Sequence, residues 1–254
     1  MREATATHAS GARLVGLVAR REIGAAFDAG IAWVAAAVYT LLSNSIFMNE
    51  FFLAGTVDMT PFFDLQPLLL AFFLPALSMR LWAEEKKQRT VEFLLTLPVR
   101  PLQVVLGKYL AALFLYGLLL LGSLPIPIML VVLGEPDLGR IASGYLGLAG
   151  LGAFLLAFGG LLSALSRDQI VAFVISTLAG FAFVLTGEPR VVAVLDGLAP
   201  DLAVGSILAN HLSVLPAYGQ LVRGVVELSS VLRFLLGAGL FLQATALFLE
   251  RDRD

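Results

Sequence analysis

The sequence predicts an all-α polytopic membrane protein. It has six transmembrane helices, an N-terminal amphipathic surface helix, a short cytoplasmic helix after the second span, and a re-entrant or short extracytoplasmic helix before the last span. Three observations carry this. The chain is 59% hydrophobic and 14% charged, with a mean hydropathy of +0.90, whereas soluble domains carry about a quarter charged residues. Five long apolar stretches and one shorter one recur along it, on the scale of the ~20 residues that cross a ~30 Å hydrocarbon core. None of them shows a two-residue alternation, and only helices or closed barrels satisfy their backbone in lipid, so a barrel is excluded.

Composition also narrows the chemistry. With Cys 0 and His 2 there is no thiol and little material for a metal site. A net charge of -2 points to no nucleic-acid partner. Residues 1–28 carry Arg2, Arg13, Arg20 and Arg21 beside Glu3, Glu22 and Asp28, without the compact apolar core of a signal peptide. The first span is therefore expected to stay in the mature protein.

Residues 10–28 read as the surface helix. Val15, Val18, Ala19, Ile23 and Ala26 share one side, opposite Arg13, Arg20, Gly24 and Asp28, while Glu22 falls on the apolar arc. Span 1 covers residues 30–48. A loop with Glu50, Asp58, Pro61 and Asp64 leads to span 2, residues 65–82, where Pro75 predicts a kink. Span 3, residues 102–133, is long. Lys108 is expected near its interface end with the ammonium snorkelling outward, and Pro125 and Pro127 predict a bent far half. Span 4, residues 141–165, is rich in glycine, which lets helix backbones approach closely. A short turn at residues 166–169 enters span 5, residues 170–187.

Residues 188–230 are apolar but broken by Asp196, Pro200, Asp201, Asn210, His211 and Pro216, and suit an interfacial or re-entrant path better than a crossing. Within them residues 218–228 read as a short amphipathic helix, with Arg223 and Glu227 an i, i+4 pair. Span 6 covers residues 231–249. The domains are thus 1–28, the tail and surface helix; 29–250, the six-span domain; and 251–254, a cytoplasmic tail. Of the 17 Lys and Arg, 13 fall on the side of the two termini and of the loop at residues 83–101, and 4 on the other. The positive-inside rule puts both termini in the cytoplasm.

The loop after span 2 carries the one polar signature. Glu84-Glu85-Lys86-Lys87 extends span 2, Thr90 and Glu92 precede Phe93-Leu94-Leu95, and Leu97-Pro98 ends the segment. Thr90, Phe93, Leu94 and Leu97 recur at i, i+3, i+4 and i+7, giving a short helix one apolar face. That face either docks a partner or packs against the base of the bundle.

The stretch MRLWAEEKKQRTVEFLLTLPVRPLQVVLGKYLAA resembles the loop between the second and third spans of ABC-2 type permeases. The gliding-motility-associated group is the most similar, and the nitrous-oxide-reductase maturation permeases are more distant. The shared positions are Met79, Arg80, Ala83, Glu84, Glu85, Lys86, Thr90, Glu92, Leu94, Leu95, Thr96, Leu97 and Pro98; Arg89 stands where that family usually has glycine. RREIGAAFDAGIAWV resembles the surface helix entering span 1, and RDQIVAFV the turn between spans 4 and 5. AYGQLVRGVVELSSVLRFL resembles the outer helix entering span 6, with Tyr218, Arg223, Gly224, Val225 and Val226 in place and Glu227 for the usual aspartate.

The resemblance implies the permease subunit of an exporter-like ATP-binding cassette transporter in a bacterial cytoplasmic (inner) membrane. Its implied partners are two copies of an ATPase subunit, a second permease that is identical or related, an envelope partner on the periplasmic side, and the lipid bilayer. Glu84, Glu85, Thr90, Glu92, Phe93, Leu94, Leu97 and Pro98 become the ATPase-coupling residues, with Pro75, Pro125 and Pro127 as hinge candidates. The chain lacks a G-x-x-x-x-G-K-[ST] loop: Leu102 stands where the first glycine before Gly107-Lys108 belongs, and Tyr109 where the hydroxyl belongs. It is thus expected to be no enzyme and to hold no cofactor, Mg-ATP belonging to the partner ATPase. Two other readings remain open on sequence. One is a scaffold that transmits work to an envelope partner; the other is a channel or gradient-driven transporter, which the near absence of ionisable groups in the spans disfavours. His211 beside Asn210 reads as structural, Trp33 and Trp82 as interfacial anchors, and Asn44 as a hydrogen-bonding group within its bundle or across a dimer.

Overall fold

The computed structural model describes residues 11–88, 100–198 and 202–251, and among them there are helices and turns but no strand. Thr90, Glu92, Phe93, Leu94, Leu97 and Pro98 lie outside the described residues. The N-terminal amphipathic helix, α1, runs Gly11–Asp28. Arg13, Arg20, Gly24 and Asp28 are exposed, and Val15, Val18, Ala19, Ile23 and Ala26 are partly covered. Gly30, at φ 74, lies between α1 and α2, Ile31–Ala54.

Helix α3, Thr60–Ser78, starts earlier than sequence spacing predicts. The Asp58 carboxylate accepts hydrogen bonds from the Thr60 backbone N–H at 3.0 Å and its hydroxyl at 2.7 Å, and Pro61 occupies the first turn, where its missing N–H is harmless. Pro61 and Asp64 are therefore helical residues rather than loop. Helix α4, Arg80–Lys87, follows after the single residue Met79. The long third apolar stretch divides as predicted, into α5, Pro101–Leu121, and α6, Pro125–Leu133.

Helix α7, Leu138–Leu165, is the axis of the bundle. The elements α3, α4, α5, α8 (Gln169–Leu185), α11 (Leu215–Val222) and α12 (Leu228–Arg251) all pack against it. Its glycines explain why. A Cβ on Gly144 would lie 2.5 Å from the Phe63 ring and one on Gly150 2.7 Å from Phe234, while at Gly152 it would collide with Tyr116. Phe154 adds edge-to-face contacts with Phe183, Phe234 and Phe241. Tyr116 and Tyr109 donate to the Leu148 and Ala153 carbonyls of α7.

Short helices α9, Pro189–Leu198, and α10, Val204–His211, fill the segment expected to be re-entrant, α9 bending 84° from α8. The outer helix lies earlier than predicted. Helix α11 ends at Val222, and Gly224 at φ 89 reverses the chain. Arg223 and Glu227 are consequently not an i, i+4 pair: Glu227 instead accepts from Ser229 Oγ at the start of α12.

Among the described residues four helical segments are long and apolar enough to cross a membrane: Thr60–Lys87, Pro101–Leu133, Leu138–Leu165 and Leu228–Arg251. The number reaches six when α1 with α2 and α8 with α9 are each taken as one bent span. Helix α2 carries Ser43, Asn44, Ser45, Asn49 and Glu50 among its apolar residues. Two buried groups answer part of this polarity, for Tyr39 donates to Gln66 Oε1 and Gln66 Nε2 donates to Ser43 Oγ at 2.7 Å.

Candidate functional site

The charged end of the bundle forms around Lys108 of α5. Its side chain is only 2% exposed, and its ammonium sits 3.0 Å from Glu22 Oε1 of α1 and 3.0 Å from Glu85 Oε1 of α4. The Trp82 ring lies beneath it, 5.1 Å away at its centroid. A long side chain near a span end is expected to reach outward to water. Here it turns inward because α1 covers it: α1 packs along α5 so closely that a Cβ on Gly107 would lie 2.7 Å from Val18 Cβ. The carboxylate that disturbs the apolar arc of α1 is the one Lys108 requires. Trp82 is likewise buried, at 2% exposure, and is no interfacial anchor.

Helix α4 is tied on every side. Arg80 Nε donates to Glu84 Oε2 at 2.7 Å. The Ser163 hydroxyl of α7 accepts from the Trp82 and Ala83 backbone N–H groups, each at 3.1 Å, and donates to the Met79 carbonyl at 2.8 Å. A side chain inserted into the helical ladder in this way interrupts its hydrogen bonding at Met79 and not at Pro75, while the Met79 backbone itself stays helical. Lys87 reaches Asp168 at 3.2 Å, in the turn before α8, and Lys86 lies over the Phe248 ring of α12. The Asp168 carboxyl is held below the ordinary carboxylate range, first by the Ile170 N–H and then by Lys87.

Of the residues singled out by sequence, Glu84 and Glu85 both lie at this end, Glu85 turned inward to Lys108 and Glu84 paired with Arg80 and Gln88 along its own helix face. Pro125 and Pro127 open α6 at the second break, after residues 122–124. There Asn44 donates to the Gly122 carbonyl at 3.1 Å, an intramolecular bond, and Ser123 pairs with Tyr145 at 2.8 Å. Tyr218 has a role that spacing does not reveal. Pro67 has no N–H for the Phe63 carbonyl one turn back, and the buried Tyr218 hydroxyl donates to that carbonyl at 2.7 Å. At the opposite end Gly224 stands beside Arg140, which neighbours Asp58, and Arg223 is near Asp64.

Lys108, Glu22, Ser163, Gln66 and Pro67 carry no site reading at the sequence level. For Glu22 and Lys108 a signal existed: two opposite charges, each misplaced on an apolar surface. For Ser163 there was none.

The sequence profile described as ABC-2 family transporter protein matches residues 55–218. The chain belongs to this family. This ABC-2 protein is accordingly a multi-pass membrane permease subunit of an ABC transporter, a class that works with an ABC ATPase subunit. The match begins after α2 and ends within α11, so Glu85, Lys108 and Ser163 lie inside it and Glu22 outside. No individual curated protein matches the chain.

Proposed function

We propose that this permease is exporter-like and that residues 84–98 are where a separate ATPase delivers work. ATP, with Mg, is bound and hydrolysed in two ATPase copies, and this chain has no catalytic role. A second permease, identical or related, completes the pathway, and both termini face the cytoplasm of a bacterial inner membrane. Glu84 and Glu92 supply charge around an apolar peg of Phe93, Leu94 and Leu97, with Thr90 and Pro98 bounding it, while Glu85, turned inward to Lys108, anchors the helix that carries it.

The observation that supports this most is the anchorage of α4. It leads directly into that segment, and it is bonded to α1 and α5 through Lys108, to α7 through Ser163, to the α8 turn through Lys87 and to α12 through Lys86. A push on α4 therefore reaches α1, α5 and α7, because packed helices linked by buried bonds shift as units, while the exposed Lys87–Asp168 pair adds a weaker link to the α8 turn. The break at residues 122–124, with Pro125 and Pro127, gives the far half of α5–α6 freedom to bend.

The test is co-purification of the permease with its ATPase. Leu94→Asp is expected to abolish association; undiminished association with ATP-driven activity overturns the docking surface. A second reading, work on an envelope partner, is favoured by the exposed apolar residues Val194, Leu198, Leu202 and Ile207 near α9 and α10. Crosslinking from residues 189–211 to periplasmic proteins supports it, and crosslinking to lipid alone refutes it.

A further inference from the structure

Beside the Lys108 knot lies a crevice of about 100 Å³, walled by α1, the α3–α4 junction and α5. Its lining is graded. Glu22, Arg80 and Glu84 stand at one end, and Leu77, Ala111, Ala112 and Leu115 continue it along the helices toward the middle of the bundle. Glu84 and Leu77 are separated by seven positions of near-continuous helix, about 10 Å at ~1.5 Å per residue. The polarity therefore changes over the distance between a phospholipid headgroup and the first methylenes of its chains.

The charged groups have capacity left. Arg80 donates through Nε to Glu84, and among the described residues no partner is recorded for its two Nη nitrogens. Glu22 meets Lys108 through Oε1, and no partner is recorded for Oε2. Both side chains are partly exposed into the crevice, Arg80 at 30% and Glu22 at 20%. A guanidinium edge binds a phosphodiester in a forked geometry, and carboxylates accept from an ammonium. With two carboxylates and one guanidinium lining it, the crevice does not suit a purely anionic headgroup.

We infer that this crevice is a binding site for one glycerophospholipid with a primary-amine headgroup. Its phosphodiester meets Arg80, its ammonium meets Glu22 and Glu84, and the first methylenes of one chain reach the buried Leu77, Ala112 and Leu115 while the rest of the lipid stays outside the crevice. Charge complementarity selects this occupant, and the small side chains of Ala25, Ala26, Ala111 and Ala112 make the room. The inference rests on the membrane placement of the bundle and not on coupling to the ATPase.

The test uses the full chain in lipid nanodiscs of phosphatidylglycerol mixed with either phosphatidylethanolamine or phosphatidylcholine. A trace phospholipid carrying a photoreactive group at the top of one chain has the matching amine or trimethylammonium head. Labelled peptides are mapped by mass spectrometry. The amine probe is expected to label residues 22–26, 77–84 and 111–115 at least fivefold above the trimethylammonium probe. Arg80→Gln and Ala112→Phe are each expected to remove that excess while leaving labelling of the exposed α6 face unchanged. Thermal unfolding of each variant shows that it is folded. Equal labelling by both probes, or labelling at this crevice that neither substitution reduces, overturns the inference.

Discussion

The α3–α4 and α5–α6 segments both carry prolines, yet only in the second does the break fall beside them. Pro75 lies within α3, and the chain interrupts four residues later at Met79, where the Ser163 hydroxyl enters the ladder. In the second segment Pro125 and Pro127 open α6 directly after the interruption. The two junctions also differ in how they are held. The first is surrounded by ion pairs and a buried hydroxyl, while the second has a single Asn44 bond and a Ser123–Tyr145 contact. A proline marks where a helix can yield. Neighbouring side chains decide whether it does, and whether the joint then transmits or absorbs motion.

The comparison breaks most sharply at Lys108. Replacing it by methionine leaves Glu22 and Glu85 facing one another in a largely covered site, so destabilisation of about 3 kcal/mol is expected, read as a lower midpoint of thermal unfolding in detergent. Adding Glu22→Gln and Glu85→Gln to Lys108→Met should restore most of it. Ser163→Ala comes next. It removes one acceptor shared by two buried amides and one donor, with about 2 kcal/mol lost. Hydrogen exchange should accelerate at residues 82 and 83 and remain unchanged at residues 122–124.

A smaller effect sharpens the proline argument. Tyr218→Phe should cost about 1 kcal/mol by leaving the Phe63 carbonyl without its donor. In a Pro67→Ala background the restored N–H takes that carbonyl, and the same change should then be near neutral. Smallest is the pH response at Asp58. Burial opposes its charge, but hydrogen bonds from Thr60 and the nearby Arg140 outweigh it and hold its pKa below the ordinary 3.8. Its contribution is thus complete above 3.8 and lost as pH falls through the lower, folded value. Asp58→Asn should flatten that part of a stability-against-pH curve.

Legibility in the sequence follows the physics of each feature. Apolar runs and the arc of α1 are local patterns, so the helical membrane class and the amphipathic N-terminal helix could be read directly. The division of α5 from α6 was legible because proline acts on its own helix. The Met79 break was not, since Ser163 lies 84 positions away. The register of α11 was missed because helical periodicity does not register Gly224, whose positive φ ends the helix. At the site, Glu84 and Glu85 were found by their motif, but not the inward turn of Glu85 to Lys108. Lys108 was assigned to water because nothing local shows that α1 folds over it.

The central claim is that α4 passes work from an ATPase into the bundle through the Lys108 knot. Because the chain has Cys 0, a spin-label pair at Gln88→Cys and Val132→Cys reports on α4 against α6 without background. In the complex with its ATPase, ATP should shift this distance in the otherwise unaltered permease, and Lys108→Met should abolish the shift while association persists. The same ATP-driven shift in the Lys108→Met complex would contradict the account.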